Sequence, residues 1–382
     1  MQRPTSVDAA PFRRPIVFIT GGSSGIGRST AAVFASHGWN VGLIARGAVG
    51  LEAVKHALMP IDVSDTPDTD IAVATAPADV SDAEALAIAA MQLERTLGAP
   101  DVWVNCAGNG TFGRFLDSSP AEFKRVTDVT YMGAVNGTRV ALTSMLPRDQ
   151  GCVVNVCSAV AFHGMPLLAS YSGAKHALRG FDQAVRAELA QDGSKVRLTT
   201  VFPPAVNTPF FDHAVSHMPS PGRPMAPVYQ PEVIAEAIYL AATTARHEMR
   251  ISFTTTAFAF AVRLVPALVR RAIHRLGYAG QLASDSAAKA RHRPTLFAPS
   301  ETACSSRGAF DAISRDSSTQ VSLLRWFARF GKVRSLDSER TARSAGAPTV
   351  PKGKHVASMQ TPSPHSVATK TTEASPAVAE LQ

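Results

Sequence analysis

Short apolar runs alternate with longer amphipathic stretches over the first 210 residues of the chain. Brief runs rich in Val, Ile, Leu and Ala, bounded by turn residues, predict strands at Ile16–Thr20, Asn40–Ala45, Ile71–Ala76, Val102–Asn105, Cys152–Cys157 and Arg197–Val201. Apolar positions at helical spacing predict helices at Ser29–His37, Asp82–Leu97, Ala121–Leu146 and Ser170–Gln191. Because strands alternate with helices, we expect βαβ units and a parallel sheet that is covered on both faces.

The pattern changes after residue 208. Residues 209–231 contain six prolines and show no clear period, which predicts a long surface loop of the kind that often covers a site. A helix is expected to begin near Glu232, and the chain is less regular from 250 to 330. After Phe330 there is no aromatic residue, and Ser, Thr, Ala, Pro and Lys dominate. This composition predicts a disordered tail.

Composition and charge narrow the class of function. The chain has 382 residues, of which 45% are hydrophobic, so it can bury a sizeable core and wholesale disorder is excluded. Its net charge of +8 would suit a nucleic-acid or membrane partner. However, residues 1–262 hold 20 Lys and Arg against 22 Asp and Glu, whereas residues 263–293 hold seven against one. The first 262 residues are nearly neutral, so we expect no nucleic-acid partner.

The basic segment raises a narrower question. Residues 256–276 mix apolar side chains with four arginines, a pattern that suits an amphipathic helix on a membrane surface. The plainer interpretation, which we favour, is a helix packed on the rest of the chain or on a partner subunit. The apolar stretch is interrupted by Arg263 and Pro266 and falls short of the roughly 20 residues that span a bilayer. We therefore expect no transmembrane segment and leave peripheral membrane contact open.

The cysteines and histidines offer no metal site. Cys106, Cys152, Cys157 and Cys304 have no Cys-x-x-Cys spacing and no pattern of a disulfide framework. This usage fits a reducing compartment, and we expect a cytoplasmic protein. His213 and His217 are four residues apart, but no third ligand accompanies them. We therefore expect no bound metal.

A glycine-rich turn follows the first predicted strand directly. The segment Thr20–Gly27 reads Thr-Gly-Gly-Ser-Ser-Gly-Ile-Gly and leads into a helix. Glycines permit a tight turn and a close approach of the backbone to a pyrophosphate, while the helix start supplies free N–H groups. A glycine cluster alone could be a simple loop. Its place between a strand and a helix favours nucleotide binding.

The end of the second predicted strand indicates which nucleotide binds. In dinucleotide-binding folds, a residue about 20 positions after the turn meets the adenosine ribose, an acid for NAD and an arginine for NADP. Here that strand ends at Ala45 and is followed by Arg46, and no acid stands there. A guanidinium pairs well with a phosphate. The sequence therefore favours NADP(H) over NAD(H), although a solvated arginine is the alternative.

Three further residues suggest acid–base chemistry. Tyr171 and Lys175 are four residues apart on a predicted helix and so share a face. A nearby ammonium group favours the phenolate, so we expect Lys175 to lower the pKa of Tyr171 and make it usable in acid–base catalysis. Ser158 follows a predicted strand, where its hydroxyl could donate to a substrate oxygen. Each of these signals is weak when taken alone.

Taken together, these motifs resemble the short-chain dehydrogenase/reductase family, in its common non-extended branch. The matching segments stand in the family's order and spacing over residues 12–250, at Thr20–Gly27, Asp79–Val80, Asn105–Gly108, Ser158, Tyr171–Lys175 and Pro203–Thr208. The resemblance implies a Rossmann-like three-layer α/β fold with a seven-stranded parallel sheet. It also implies NAD(P)-linked oxidation or reduction and a homodimer or homotetramer.

The resemblance also implies roles for particular residues. Tyr171 would exchange a proton with the substrate oxygen, Lys175 would hold the nicotinamide ribose, and Ser158 would position the carbonyl. Cofactor contacts are implied for Gly21, Ser23, Ser24, Gly25, Ile26, Gly27, Asp79, Val80, Asn105, Ala107, Gly108, Tyr171, Lys175, Pro203, Val206 and Thr208. Asp79 and Val80 would meet the adenine, and Thr208 would lie near the carboxamide.

Three positions depart from the family's pattern. Thr130 stands where the family has a fourth catalytic residue, an Asn, so a hydroxyl would have to hold the relay water. Cys106 replaces the second Asn of Asn-Asn-Ala-Gly, and we expect a buried small residue rather than a reactive thiol. Pro204 replaces a Gly and is expected to stiffen the turn beneath the nicotinamide.

The sequence thus predicts an NADP(H)-dependent oxidoreductase that acts on a carbonyl or secondary alcohol. Phe210, Phe211, Met218 and Met225 in the 209–231 loop suggest a hydrophobic substrate, although they could be ordinary packing residues. A non-catalytic NADP-binding regulator or interaction protein is the alternative, and an epimerase of the extended branch is disfavoured by its glycine spacing. We divide the chain into a disordered N-terminus (1–11), a catalytic domain (12–250), a partly helical basic extension (251–330) and a disordered tail (331–382).

Overall fold

The computed structural model describes residues 13–59, 71–283 and 292–327. The segments predicted to be disordered, 1–11 and 331–382, lie outside the described residues. Nothing in the described part tests the division of the chain at residue 250, which stays a prediction.

The described strands are β1 (Ile16–Thr20), β2 (Asn40–Ala45), β3 (Val73–Pro77), β4 (Val102–Asn105), β5 (Thr111–Phe112), β6 (Cys152–Val156), β7 (Arg197–Phe202), β8 (Ala205–Val206), β9 (Val215–Ser216), β10 (Val228–Tyr229), β11 (Glu248–Arg250) and β12 (Ser314–Arg315). The described α-helices are α1 (Gly25–Ser36), α2 (Ala48–Leu58), α3 (Ala83–Leu97), α4 (Pro120–Thr127), α5 (Gly133–Met145), α6 (Ala169–Gln191), α7 (Phe210–His213), α8 (Pro231–Thr243), α9 (Phe253–Leu264) and α10 (Pro266–Leu276).

Seven of these strands form one parallel sheet in the order β11-β7-β6-β4-β1-β2-β3. Helices α1, α2 and α8 bury one face of it in a core that includes Phe34, Leu51 and Ile234. Helices α3, α5 and α6 bury the other face in a core that includes Leu86, Met145 and Leu189. The predicted three-layer fold with a seven-stranded parallel sheet is therefore confirmed.

The strand order reverses between β1 and β4. In an open sheet of this kind, the loops that leave these two strands diverge and open a crevice at their carboxyl ends, where ligands bind. Thr20 ends β1 and Asn105 ends β4, and the two residues are paired in register. The sheet therefore directs the glycine-rich turn and the Asn105–Gly108 loop toward the same crevice.

The hydrophobic pattern located six of the seven strands, but it missed β11. Glu248–Arg250 carries two charged residues and a single buried methionine, so it has no apolar run. It forms a strand because it pairs with β7 at the edge of the sheet. The third strand begins at Val73 rather than at Ile71.

The helix predicted over Ala121–Leu146 is three consecutive segments. Helix α4 ends at Thr127, residues Asp128–Met132 form a π-helical turn, and α5 continues from Gly133. Such π turns frequently occur at functional sites because they re-aim the side chains of one turn. This turn carries Thr130, which is fully buried.

The 209–231 loop has more regular structure than its sequence predicts. It contains helix α7, and β9 within it pairs with β5. Strand β10 near its end joins β8 and β12 in a three-stranded sheet. Because β12 comes from residues 314–315, the part of the chain beyond residue 292 returns to the carboxyl edge of the main sheet.

Helices α9 and α10 make up the basic amphipathic segment. Phe258, Ala259 and Val262 of α9 pack beside a buried cluster near the end of β7. Helix α10 has no buried residue. The packing of α9 agrees with the alternative of a helix on the rest of the chain, while membrane contact of this segment stays a prediction.

Candidate active site

The glycine-rich turn and the loop after β4 touch through their backbones. A Cβ atom on Gly21 would lie 2.8 Å from the backbone of Ala107, and one on Gly27 would lie 2.2 Å from the carbonyl oxygen of Gly21. The Thr20 hydroxyl also accepts a hydrogen bond from the Cys106 amide at 3.1 Å. Only glycine fits at the two glycine positions, so close packing of two loops explains both motifs.

A cavity of about 610 Å³ opens at this edge of the sheet. Almost all the predicted site residues line it, namely Gly21, Ser23, Ser24, Gly25, Ile26, Gly27, Arg46, Asp79, Val80, Ala107, Gly108, Ser158, Tyr171, Lys175, Pro203, Val206 and Thr208. Two predicted residues, Asn105 and Thr130, do not line it. Residues from seven separate chain segments thus converge on one space that is large enough for a small-molecule ligand.

Asn105 is buried beside the cavity and does not line it, and its predicted contact with the cofactor stays a prediction. Its side chain accepts a hydrogen bond from the Trp103 indole at 2.8 Å and donates to Asn155 at 2.8 Å. Asn155 donates to Asp182 at 2.6 Å, and Asp182 also accepts from Thr200 at 2.6 Å. This buried chain of polar groups joins β4, β6, α6 and β7 and fixes the floor of the site.

Ser158, Tyr171 and Lys175 meet between the end of β6 and the start of α6. The Lys175 ammonium donates to the Val156 carbonyl at 2.7 Å and lies 5.6 Å from the centre of the Tyr171 ring. The Ser158 hydroxyl accepts from the Val160 amide at 3.3 Å and hydrogen bonds with Tyr171. A hydroxyl pair and an ammonium group therefore face one cavity, an arrangement suited to binding and protonating an oxygen.

The pKa of Tyr171 does not follow the sequence-based expectation. Desolvation raises the pKa of the phenol above its usual value, and the hydrogen bond from Ser158 opposes this only in part. Burial also lowers the pKa of Lys175. The expected lowering of the Tyr171 pKa by Lys175 is thus wrong for this structure, because removal from water outweighs the nearby charge. Tyr171 is a protonated acid at neutral pH.

Thr130 uses its hydroxyl to hold the loop that follows β4. The hydroxyl donates to the Asn109 carbonyl at 3.0 Å and accepts from the Asn109 amide at 3.1 Å. Since its one donor is taken, it cannot also donate to a relay water. These bonds give Thr130 a positioning role, and its expected role in holding a relay water, which it could fill only as an acceptor, stays a prediction.

Two residues that the sequence analysis missed lie beside the predicted ones. Asn109 lines the cavity, and its buried side-chain nitrogen has no hydrogen-bond partner in the structure. Arg125 of α4 forms an ion pair with Asp79 and donates to the Ser81 hydroxyl at 2.7 Å. The position of Asn109 directly after the Asn105–Gly108 motif could have identified it from the sequence. Arg125 could not be identified in this way, because only folding brings it next to Asp79.

Arg125 changes the charge at the position predicted to meet adenine. Partial burial pushes the pKa of Asp79 upward, but hydrogen bonds from Arg125 and Ser81 outweigh it and hold that pKa below its usual value. Arg46 lies near this ion pair, and burial and the Arg125 charge lower its pKa. An arginine nevertheless remains a cation at neutral pH. The end of the cavity lined by Arg46 and Asp79 therefore holds one guanidinium group and one carboxylate, and the Arg125 guanidinium pairs with that carboxylate from α4.

The other end of the cavity is apolar. Phe210 packs edge-on against Tyr171 with ring centres 5.1 Å apart. Of the four apolar residues predicted for the 209–231 loop, Phe210, Phe211 and Met225 line the cavity, whereas Met218 packs beside it. Further apolar lining comes from Met165, Leu168, Phe258 and Ile273.

The remaining candidates show no sign of metal or thiol chemistry. His217 pairs with Glu122 at 3.1 Å, and the described residues contain no cluster of three side chains that could bind a metal. Burial raises the pKa of Cys106 to about 12, so its thiol stays protonated. No helix in the described residues is long and apolar enough to cross a bilayer.

Comparison with known proteins gives a consistent family. The short chain dehydrogenase family model matches residues 15–219. An uncharacterized oxidoreductase of Bacillus subtilis, YxnA, is 31% identical over 279 residues, which cover 72% of this chain and 76% of that protein. A 3-dehydrosphinganine reductase of Danio rerio is 30% identical over 225 residues, covering 58% of this chain and 66% of that protein.

Solved structures agree with the fold. The alcohol dehydrogenase of Thermococcus sibiricus, complexed with 5-hydroxy-NADP, is 27% identical with a TM-score of 0.52 and covers 63% of this chain and 96% of its own. A short chain dehydrogenase/reductase of Burkholderia phymatum in complex with NAD is 23% identical with a TM-score of 0.58, covering 68% of this chain and 95% of its own. The second likeness bears on the fold alone.

Proposed function

We propose a hydride-transfer function for this chain, which belongs to the short-chain dehydrogenase family. The reaction would interconvert a carbonyl compound and a secondary alcohol with NADP(H). The observation that carries the proposal is the convergence of Ser158, Tyr171 and Lys175 with the glycine-rich turn on one cavity. A nucleotide-binding end and a proton-donating end in the same space suit a cofactor-dependent redox reaction better than simple binding.

The residues present fit a dinucleotide. The glycine-rich turn lines the cavity near the start of α1, where the free N–H groups of the helix suit a pyrophosphate. Arg46, a permanent cation at the adenosine end, supports NADP(H) rather than NAD(H) because its guanidinium suits a 2′-phosphate. When bound, the nicotinamide supplies or accepts the hydride.

The protein's own groups would manage the proton. In the reductive direction the Ser158 hydroxyl would hold the substrate oxygen, and Tyr171 would give its proton to that oxygen. Lys175 is held in place by the Val156 carbonyl and supports the cofactor ribose. Because desolvation raises the pKa of Tyr171, the phenol keeps its proton at neutral pH and gives it up less readily than a phenol in water. Alcohol oxidation needs the phenolate, so its rate should rise with pH.

The substrate would be mostly apolar. Phe210, Phe211 and Met225 cover the reacting end, and Phe258 lines its far side. Such a lining discriminates by shape and desolvation rather than by charge. We therefore expect bulky apolar ketones or aldehydes to be reduced faster than small charged ones.

The direct test is NADPH oxidation measured over a panel of aldehydes, ketones and quinones, with NADH in parallel. We expect turnover with apolar carbonyl compounds and a clear preference for NADPH. A strong preference for NADH would contradict the role given to Arg46. Tight NADPH binding without turnover on any substrate would instead support the alternative, a non-catalytic NADP-binding regulator.

Tyr171→Phe tests the proton donor. Removing only the hydroxyl should lower kcat by at least about a hundredfold, the range typical of general acid–base groups, while NADPH binding, followed by fluorescence titration, stays unchanged. Tyr239→Phe is a matched control, because Tyr239 stacks on His37 in the core around α1 and α8, away from the cavity. A fully active Tyr171→Phe enzyme would contradict the mechanism.

Partners and location stay proposals. We propose a homodimer or homotetramer in the cytoplasm, with peripheral contact to an anionic membrane through α9 and α10. Phe253, Phe260, Leu264, Leu268 and Leu276 of these helices are more than half exposed, beside Arg263, Arg270, Arg271 and Arg275. Exposed apolar side chains with flanking cations complement the surface of an anionic bilayer.

A further inference from the structure

A segment from the far end of the described chain lies along the mouth of the cofactor cleft. We call residues 295–305 the strap. The Arg46 guanidinium donates to the carbonyl oxygens of Thr295 and Leu296. The Gly25 amide donates to the Ser305 carbonyl at 3.1 Å. The strap residues Thr295, Pro299, Ser300, Thr302 and Cys304 line the cavity itself.

The strap occupies the groups that the proposed function assigns to the cofactor phosphates. Gly25 belongs to the glycine-rich turn, whose amides would meet the pyrophosphate, and Arg46 would meet the 2′-phosphate. Arg28 of α1 also donates to a strap carbonyl, that of Cys304. A carbonyl oxygen carries partial negative charge, as a phosphate oxygen carries full charge, so both are acceptors for the same donors. A phosphate can therefore reach Arg46 and Gly25 only when these contacts are exchanged.

The strap differs from the anchor that follows it. We call residues 307–315 the anchor. Its Asp311 carboxylate accepts from Asn207 at 3.0 Å and from Gln230 at 2.8 Å, and both of these partners are buried. The Phe310 amide donates to the Asn207 side chain at 3.0 Å, and β12 pairs with β10. The residues of both segments are exposed or half-buried, apart from the buried Leu296 of the strap, so the two segments differ in the partners that hold them and not in their own burial.

We propose that the strap is an internal competitor of the cofactor phosphates, held at the cleft by the Asp311 anchor, and that it tunes selectivity for NADP(H). This inference rests on the proposed NADP(H) function. Two strap carbonyls are bonded to Arg46, and Arg46 would bind only the 2′-phosphate, which NADP(H) alone carries. One strap carbonyl is bonded to Gly25, which would bind the pyrophosphate of either dinucleotide. Release of the strap should therefore strengthen NADPH binding more than NADH binding.

The labelling rate of Cys304 can report movement of the strap in the wild-type protein. Burial raises the pKa of Cys106 and Cys157 to about 12 and also raises that of Cys152, so Cys304, at the rim, should react first with a maleimide. We expect saturating NADPH to speed Cys304 labelling several-fold, as read by mass spectrometry, and Cys304→Ser to abolish the fast phase. Slower labelling would mean that the strap closes over the cofactor, and unchanged labelling would mean that it does not move; either result overturns the proposal.

Asp311→Ala tests the anchor. It should lower the Kd for NADPH about tenfold and the Kd for NADH by a much smaller factor, as measured by fluorescence titration. Glu301→Ala is the matched control, since it removes the same charge from an exposed strap residue and should change neither Kd. Equal Kd values in wild type and Asp311→Ala overturn the competition. If NADPH binds neither protein, the proposed cofactor preference fails instead, which separates the two hypotheses.

Discussion

At the scale of single residues, the Thr130 hydroxyl holds the loop that follows β4. At the position where the resemblance leads us to expect an amide, the Thr130 hydroxyl bonds both the amide and the carbonyl of Asn109. These two bonds lie in a fully buried place, where unpaired polar groups are costly. The residue therefore fixes the loop after β4, and through that loop it fixes one wall of the cavity.

Thr130→Val removes the hydroxyl but keeps the shape of the side chain. Because the Asn109 amide and carbonyl would be left unpaired, we expect a loss of about 1–3 kcal/mol in the free energy of unfolding, measured by urea denaturation. Turnover should fall more than tenfold because the loop shifts. Thr130→Ser keeps the hydroxyl and should keep most of the turnover; equal activity in the two variants would contradict the positioning role.

Asp182 gives a pH dependence with a definite sign. Burial raises its pKa to about 6, above the value of about 4 expected in an unfolded chain. The native state thus binds this proton more tightly, and the resulting stability is present below about pH 4 and lost as the pH rises through about 6.

The measurement compares wild type with Asp182→Asn, which does not titrate. From about pH 4 to about pH 7, the unfolding free energy of wild type relative to Asp182→Asn should fall by on the order of 3 kcal/mol. The difference between the two proteins removes the contribution of other carboxylates to the pH dependence of the unfolding free energy. Asp79 and Glu122 are examples, and their lowered pKa values act in the opposite direction. A difference that does not vary with pH would show that Asp182 is not the titrating group.

At the scale of elements, the junction of α4 and α5 decides the shape of the site. The π turn at Asp128–Met132 places Thr130 toward the β4 loop, and α5 then packs closely on β4. A Cβ atom on Gly137 of α5 would lie 2.0 Å from the Asn105 side-chain oxygen. This glycine is therefore required by packing, even though glycine weakens a helix.

Two glycine substitutions separate these effects. In Gly137→Ala the new methyl group collides with Asn105, so we expect destabilisation by about 1–3 kcal/mol, the usual cost of overpacking. In Gly180→Ala on α6 nothing lies within 4 Å of the new atom, and we expect stabilisation by about 0.5–1 kcal/mol. Chemical denaturation of both variants checks the opposite signs, and stabilisation by Gly137→Ala would refute the close packing.

At the scale of the whole molecule, the positive charge is concentrated in one part of the sequence. The net charge of +8 arises after residue 262, with seven cations against one acid in residues 263–293. The exposed apolar residues of α9 and α10 lie in or beside this basic region. Electrostatic attraction to anionic lipid would therefore act on one part of the surface and hold the protein in a fixed orientation.

Co-sedimentation with liposomes tests this arrangement. The full chain should sediment with anionic vesicles at low salt, stay in the supernatant with zwitterionic vesicles, and be released as salt screens the charges. Arg270→Glu with Arg271→Glu should abolish sedimentation. Arg95→Glu with Arg139→Glu makes the same charge change on exposed residues of α3 and α5 and should not. Failure of the wild type to bind anionic vesicles would refute membrane contact.

The sequence by itself determined the repeating βαβ units, the three-layer fold and most of the site. These features are encoded locally: short apolar runs form buried strands, and the glycine-rich turn and the Tyr171–Lys175 spacing each depend on neighbours in the chain. The roles of Gly21, Gly27 and Arg46 could be inferred for the same reason, although their binding roles stay predictions.

Only the tertiary structure decided the features that depend on contacts between distant segments. Strand β11 exists because it pairs with β7, and Arg125 reaches Asp79 from another helix. The raised pKa of Tyr171 is a consequence of burial, which a spacing of four residues does not reveal. The strap is the clearest case, since Arg46 bonds carbonyls about 250 residues away. Every residue has a backbone carbonyl, so no pattern of side chains in the sequence predicts which carbonyls will bind Arg46.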